Sequence, residues 1–131
     1  MNNSHIGPEY LGIGSHTEGY NTQAMAFAAH AEGYNTEAIN KYSHTEGWNT
    51  VSFGCGAHAE GYNTVANTNY SHTEGWNTVV GSIIEDELRG RAGHAEGYDT
   101  LVTDNYGHAE GAHTKAGYTA HSEGDNTTAL G

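Results

Sequence analysis

Small residues alternate with polar residues in a short pattern that recurs along nearly the whole chain. Its first copy, SHTEGYNT, begins at Ser15 and has Thr17 and Gly19 at its other small positions. His16 and Glu18 occupy the positions between them. Because successive side chains of a β-strand point to opposite faces, we expect the small residues to line a narrow interior. His16 and Glu18 then share the opposite face.

The octapeptide returns at an almost constant spacing. Its histidines are 14 residues apart, except for one gap of 22 and one of 13. A looser hexapeptide follows each copy and echoes its arrangement of small residues and turn residues. Fourteen residues therefore provide two short strands, of four or five residues each, and two tight turns. This is one coil of a flattened solenoid, because a helical repeat needs more than twice that length.

The sequence thus predicts an all-β fold, a parallel β-solenoid of eight coils over residues 15–131. Each strand pairs with its copies ~4.8 Å above and below, so equivalent side chains form columns along the axis. Gly19, Asn21 and their equivalents suit corners that require positive φ. We expect an N-terminal cap or junction over residues 1–14. The gap of 22 indicates an inserted loop at about residues 81–92.

The predicted interior is thin. Side chains of Ala, Ser, Thr and Gly bury little apolar area, which contributes only ~25 cal/mol per Å². Ordering the backbone costs about 1 kcal/mol or more per residue. We therefore expect several chains to associate side by side, although the residues themselves do not fix their number.

Charge and composition exclude several classes of partner. The formal net charge is −12, with only four Lys and Arg residues, so the chain lacks the basic footprint of a nucleic-acid-binding protein. No apolar run approaches the ~20 residues of a membrane-spanning helix. We predict no cofactor. We also predict no enzymatic activity, because an active site is a single constellation whereas the chemical groups here are copied in every coil.

The repeated His-x-Glu pair is the sharpest chemical feature of the sequence. We expect it to form a structural His–Glu ladder of hydrogen-bonded side chains that faces partner chains. The sixteen predicted members are His16, Glu18, His30, Glu32, His44, Glu46, His58, Glu60, His72, Glu74, His94, Glu96, His108, Glu110, His121 and Glu123.

The chemical state of the ladder can be interpreted in three ways. Stacked carboxylates repel one another, so protonated histidines beside them would compensate, with pKa values above the ordinary ~6.5. A neutral histidine that donates one hydrogen bond is the alternative. Zinc binds both His and carboxylate, but the identical pairs lack the varied ligand set of known sites, and we assign no metal.

Aromatic residues form a second column after the His-x-Glu pair. We expect it to pack along itself or against a neighbouring chain, with stacking on sugar rings as the alternative. The candidate receptor-binding residues are Tyr20, Tyr34, Trp48, Tyr62, Trp76 and Tyr98, together with Arg89 and Arg91 of the insertion. Tyr42, Tyr70, Tyr106 and Tyr118 are candidates for another aromatic column.

The run S-H-A-E-G-Y-N-T-x-A resembles the head repeats of trimeric autotransporter adhesins of the YadA-like type. It is most similar to the SHAEG-type variant of phage and prophage tail fibres and neck appendages, and the likeness covers Ser15 to Gly131. The resemblance implies a left-handed β-roll, three chains around one axis, and a binding stalk on a virion or cell surface. The chain departs from the family where Ala26, Asn40 and Thr68 replace a glycine of the second half-repeat.

The leading functional prediction is a structural and adhesive fibre segment of a phage tail appendage or cell-surface adhesin. Such a homotrimer acts as a spacer and as a binder of a host glycan or protein, outside the cell. The chain has no heptad stalk or membrane anchor and stops partway through a coil, so we expect a fragment of a longer fibre. The alternatives are a subunit of a self-assembling architectural filament and a metal- or ligand-binding solenoid.

Overall fold

A computed structural model describes residues 13–81 and 91–131, and every regular element in these ranges is a β-strand. Each coil contributes one strand of five residues and one of two residues. The strands are β1 (His16–Tyr20), β2 (Gln23–Ala24), β3 (His30–Tyr34), β4 (Glu37–Ala38), β5 (His44–Trp48), β6 (Val51–Ser52), β7 (His58–Tyr62), β8 (Val65–Ala66), β9 (His72–Trp76), β10 (Val79–Val80), β11 (His94–Tyr98), β12 (Leu101–Val102), β13 (His108–Ala112), β14 (Lys115–Ala116), β15 (His121–Asp125) and β16 (Thr128–Ala129).

The strands form two parallel sheets, which confirms the predicted β-solenoid. The eight five-residue strands make one sheet, in chain order from β1 to β15, and the eight two-residue strands make the other. Equivalent residues pair directly, so that His16 lies opposite His30 and Gln23 opposite Glu37. The second strand of each coil is shorter than the four or five residues that we predicted, because the chain bends within two residues of the strand's end, as at Ala26 after β2.

The coil stack continues in register across the insertion. Strand β9 pairs with β11, which places His72 opposite His94, and β10 pairs with β12, which places Val79 opposite Leu101. The intervening residues therefore do not interrupt either sheet. Residues 82–90 of the predicted loop lie outside the described ranges, as do residues 1–12 of the predicted N-terminal cap.

The interior is as thin as the sequence indicated. The largest fully buried side chains are two valines, Val80 and Val102, followed by a set of threonines. From the second coil onward, the small residues at the first and third octapeptide positions are buried, as Ser43 and Thr45 illustrate. The threonine that ends each of the first seven octapeptides is also interior, with no more than 2% of its surface exposed. These threonines are Thr22, Thr36, Thr50, Thr64, Thr78, Thr100 and Thr114.

The glycine of the octapeptide does not lie in the interior, and that part of our prediction was wrong. From Gly33 to Gly124 these glycines are exposed, with φ between +104° and +110°. Their positive φ turns the chain out of the simple alternation of faces. A Cβ atom added to Gly47 would lie 2.2 Å from the carbonyl oxygen of Gly61 in the next coil. This position of the octapeptide is glycine in every coil because the backbones of successive coils are in contact there and leave no room for a side chain.

Both corners of a coil use left-handed backbone conformations, as predicted for the Asn21 position. The first corner has φ between +53° and +59° and is occupied mainly by asparagine, as at Asn49 and Asn63. The second corner has similar values at Tyr42, Gly56 and Tyr70. Asparagine tolerates this region better than most residues, which explains its choice at the first corner.

Two neighbouring glycines allow the close approach of the coils to be tested separately from backbone strain. Gly111 and Gly124 have φ of +109° and +107°, but only the Cβ of a Gly111→Ala variant would meet a carbonyl oxygen, at 2.1 Å. For Gly124→Ala the nearest atom is Thr127 Cγ2, at 3.8 Å. We expect Gly124→Ala to cost about 1–3 kcal/mol for its φ alone, and Gly111→Ala to cost clearly more.

Thermal and urea unfolding of both variants, beside the unmodified chain, would measure the difference. Equal losses of stability in the two variants would contradict a coil spacing set by backbone contact at glycine.

Candidate functional site: the outer face of the long-strand sheet

Three columns of side chains lie side by side on the outer face of the sheet formed by the five-residue strands. We use the term outer face for the residues at the second, fourth and sixth octapeptide positions, which begin with His16, Glu18 and Tyr20. Direct pairing of equivalent residues keeps each column in line, as between β3 and β5 and between β11 and β13. The sequence-predicted His–Glu and aromatic sets therefore do come together, on one surface.

The histidines form a continuous stack of imidazole rings. From His30 to His121 neighbouring ring centroids are 4.6–4.8 Å apart and the ring planes lie within 2–21° of parallel. The stack ends at His16, whose ring meets that of His30 edge-on. In the middle coils about one third of each side chain is exposed, for example 35% for His58.

The histidines and glutamates approach one another, but they do not form the hydrogen bonds that we predicted. The Nε2 atom of each column histidine lies 3.3–3.9 Å from a glutamate oxygen. All of these separations exceed the 2.7–3.2 Å of an N–H···O bond. The Nε2 atoms of six histidines are buried and have no hydrogen-bond partner: His30, His44, His58, His72, His94 and His108.

Burial controls the charge of the middle histidines. Desolvation lowers the pKa of His44, His58 and His94 below 6.5, and the repulsion of neighbouring imidazoles lowers it further. Glutamates such as Glu46 and Glu74 act in the opposite direction but are outweighed. The prediction that folding raises histidine pKa values is therefore wrong for these three residues. They are mainly neutral at pH 7, because charged rings stacked about 4.7 Å apart would repel.

The glutamates lie along a shallow groove beside the glycine column. The groove is lined by Glu32, Glu46, Glu60 and Glu74, with the glycines of the adjoining strands as its other wall. A hydrogen bond with the Glu60 carboxyl lowers the pKa of Glu46 below its usual range, and His44, Glu32 and His58 contribute in the same direction. The missing glycine side chains thus give the carboxylates room to lie side by side.

The aromatic column packs along itself but stays exposed. Tyr20 and Tyr34 are stacked, with ring centroids 5.3 Å apart. From Tyr34 to Tyr98 the rings alternate Tyr and Trp and meet edge to face, 5.4–5.6 Å apart. Half of each side chain remains in contact with solvent, 55% for Trp48 and 56% for Trp76. The predicted packing within the column is confirmed, and the exposed half is free to contact a partner.

The second set of tyrosines alternates with small residues at the second corner of the coils. Tyr42, Tyr70 and Tyr106 share this corner with Ala28, Gly56 and Ala92. A Cβ atom on Gly56 would lie 3.1 Å from the ring of Tyr70, so the tyrosine ring covers the small residue of the preceding coil. This explains why the residues alternate every 28 positions rather than every 14.

Tyr118 does not belong to this second set, contrary to our prediction. The backbone N–H of Tyr106 donates to the carbonyl oxygen of Arg91, and the equivalent bond in the next coil is donated by Thr119 to Asn105. The corner residue of that coil is therefore Thr119. The shift follows from the one 13-residue gap in the repeat.

The two candidate arginines of the insertion are separated by the limits of the described ranges. Arg89 lies outside them. Arg91 is exposed, and its backbone N–H donates a 2.9 Å hydrogen bond to Asn105 Oδ1. It lies at the end of the insertion and is not part of the outer face.

A ladder of asparagine amides escaped the sequence analysis. Each side chain donates through Nδ2 to Oδ1 of the next coil at 2.6–2.8 Å, in a series that begins at Asn21 and ends at Asp99. Asp99 also contacts His113 Nδ1, at 3.1 Å. We had interpreted these residues only as turn formers. Their identical position in every coil was the signal that an amide ladder forms.

The chain has no match among the protein-family models, the curated proteins or the solved structures. Within the described ranges, no helix is long and apolar enough to cross a membrane. Its chemistry must therefore be argued from its own geometry.

The depressed pKa values predict that acid destabilises the fold. Histidines that are neutral when folded but have a pKa of about 6.5 when unfolded contribute stability above that pH, which is lost as pH falls toward the folded value. Glu46 acts in the same direction, because its lowered pKa favours the folded state above 4.5. In EDTA we expect a melting temperature that is constant above about pH 7 and falls steadily below about pH 6.5.

Two variants show whether the stacked histidines cause the pH dependence of the melting temperature. His58→Gln removes a partly buried imidazole of the stack and should flatten the pH dependence more than His113→Gln, which removes an imidazole outside the stack. A melting temperature that rises as the pH is lowered from 7.5 to 5.5 would support protonated histidines in the ladder and contradict neutral ones.

Proposed function

We propose that this chain is a structural and adhesive fibre segment, a trimeric spacer that displays a binding surface on a virion or cell exterior. The observation that carries the proposal is the exposed aromatic column, which runs without interruption from Tyr20 to Tyr98 along one face of a rigid stack of coils. The left-handed β-roll and the number of three chains come from the resemblance to YadA-like heads.

The weakness of the single-chain interior supports association. Its largest fully buried side chains are Val80 and Val102, so each coil buries little apolar surface. Large aromatic side chains stay half exposed instead, in a continuous stripe. Extended apolar stripes on a protein surface mark sites of protein or ligand contact. Association of chains would supply the burial that the interior lacks, and the part of the stripe that partner chains leave uncovered would form the binding surface.

The uniformity of the coils supports a spacer. Successive coils add about 4.8 Å of length each through the same backbone ladder, and the register holds across the insertion between β9 and β11. A scaffold of this kind sets a distance and repeats one surface chemistry along it. It suits avid contact with a repeated ligand such as a surface glycan, because several weak contacts combine when they are held on one rigid body.

Sedimentation equilibrium tests the assembly. We expect a mass of three times the 13.9 kDa of the chain, without dissociation at micromolar concentration, because association supplies the apolar burial that the interior of one chain lacks. A stable, folded monomer at that concentration would contradict the proposal.

The same measurement addresses an architectural filament. In the described ranges β15 and β16 each have a hydrogen-bonded neighbour on one side only, and an uncovered strand edge can pair with another chain. A series of species of increasing mass, rather than one trimer, would favour end-to-end stacking of coils.

A glycan-array experiment tests the binding surface. The double variant Trp48→Ala, Trp76→Ala removes two exposed rings that neighbouring coils do not enclose. We expect it to lose glycan binding at least tenfold, because stacking of a ring on a sugar is lost at two points of a multivalent contact. The matched control is Tyr42→Ala, Tyr70→Ala, which removes two rings outside the aromatic column that are at least as exposed as the tryptophans.

The stability of each variant separates recognition from packing. Loss of glycan binding with an unchanged melting temperature and trimer mass would assign the column to recognition. A variant that dissociates or melts much lower, while its residual trimer still binds, would assign the column to packing between chains and contradict a receptor role.

A further inference from the structure

Buried imidazole nitrogens without partners occur in six consecutive coils of the outer face, from His30 to His108. Buried polar atoms in proteins are almost always hydrogen-bonded, to protein or to water, so an orphan group calls for an explanation. Six identical orphans in line are not an accident of one side chain. Each of these Nε2 atoms is directed toward carboxylate oxygens that are too distant to satisfy it through a hydrogen bond.

The carboxylates come from two successive coils. His94 Nε2 lies 3.5 Å from an oxygen of Glu74 in the preceding coil and 3.8 Å from an oxygen of Glu96 in its own coil. At the C-terminal end, Glu110 lies between two histidines, 3.7 Å from His108 and 3.8 Å from His121. The two oxygens of one glutamate can therefore approach the histidines of two successive coils, one oxygen to each histidine.

These separations match two ligands of one metal ion better than they match a hydrogen bond. A tetrahedral zinc ion holds a histidine nitrogen and a carboxylate oxygen each at about 2.0–2.2 Å. Two ligand atoms at that distance and angle are about 3.4 Å apart, near the lower end of the 3.3–3.9 Å that we observe here. An ion between Nε2 and the oxygens would satisfy the orphan nitrogen and neutralise the repelling carboxylates together.

Three groups of ligands share no residue. They are Glu46 with His58 and Glu60, Glu74 with His94 and Glu96, and His108 with Glu110 and His121. In each group the three ligand atoms lie within 4.8 Å of one another. A fourth group, around His72, takes its two glutamates from the first two groups and competes with both.

Electrostatics favours occupation of alternate coil junctions. Divalent ions at successive junctions would be about 4.8 Å apart, with four times the repulsion of two single charges at that distance. Ions at the three separate groups would be two coils apart. A divalent ion with the two glutamates of either of the first two groups forms a neutral unit, so occupation would also relieve part of the −12 net charge.

We propose that the outer face binds divalent transition-metal ions of the zinc class, up to three per chain in the described ranges, one at each of these groups. The site lies within a single chain and does not depend on the proposed trimer or on receptor binding. It departs from our sequence-based assignment of no metal, because the sequence did not show that glutamates of two coils converge on one histidine.

Metal uptake by the intact chain tests the proposal. Protein stripped with EDTA and dialysed against micromolar Zn²⁺ at pH 7.5 should retain close to three ions, measured by elemental analysis, and its melting temperature should rise. Substitution with Co²⁺ should give the intense visible absorption of a four-coordinate ion. Retention of less than one ion per chain, or a cobalt spectrum of the hydrated ion only, would overturn the proposal.

Single substitutions assign the ions to the groups. His121→Gln, in the exposed last coil, and Glu110→Gln, which keeps the size of the side chain, should each remove one of the three ions. His113→Gln is the matched control, since this histidine lies outside the stack beside Asp99, and it should remove none. Equal stoichiometry in His121→Gln and the unmodified chain would contradict the assignment.

Sedimentation of the same samples in EDTA and in Zn²⁺ separates this site from assembly. An unchanged mass with full metal uptake supports ions held within one chain. Uptake that appears only with an increase in mass would place the ions between chains and refute the intrachain site. Failure of trimer formation in both conditions would count against the proposed function. The metal site would then still be judged by the number of ions that each chain retains.

Discussion

The contact of backbone on backbone at the glycine column governs the rest of this structure. A Cβ atom on most of these glycines would come within about 2 Å of a carbonyl oxygen of the next coil. The coils therefore stack at the separation of hydrogen-bonded strands with nothing between them at this point. That spacing is imposed on every other side chain, which meets its own copy one strand above and one below.

At this spacing each side chain contacts its own copies in the neighbouring coils, so its effect on stability depends on how well identical side chains pack together. A stack of imidazoles about 4.7 Å apart tolerates neutral rings but not charged ones, so burial and repulsion both lower the pKa of His44, His58 and His94. An asparagine in the same arrangement gains instead, because an amide both donates and accepts and extends a hydrogen-bond ladder at 2.6–2.8 Å. The same geometry thus rewards side chains that complement themselves and penalises those that repel.

The sequence predicted the fold well because its information is periodic. Fourteen-residue spacing, small residues at alternate positions and turn formers at fixed places give the solenoid, its register and its thin interior. The position of Gly47 was misassigned because strict alternation assumes ordinary strand φ, whereas this residue has φ of +107°. The charge of His58 was also misjudged. Its pKa depends on burial and on the neighbouring rings, which the order of residues in one coil does not show.

The pattern that repeats every 28 residues has a physical origin in this crowding. Trp48 and Trp76 alternate with tyrosines in a column of edge-to-face rings, and the corner ring of Tyr70 covers Gly56 of the coil before it. Interior threonines such as Thr45 alternate with alanines such as Ala59 in the same phase. Large and small side chains thus share the space of two coils. Over the first five coils, as far as Thr73, the packing unit is therefore a pair of coils, although the backbone repeats after one.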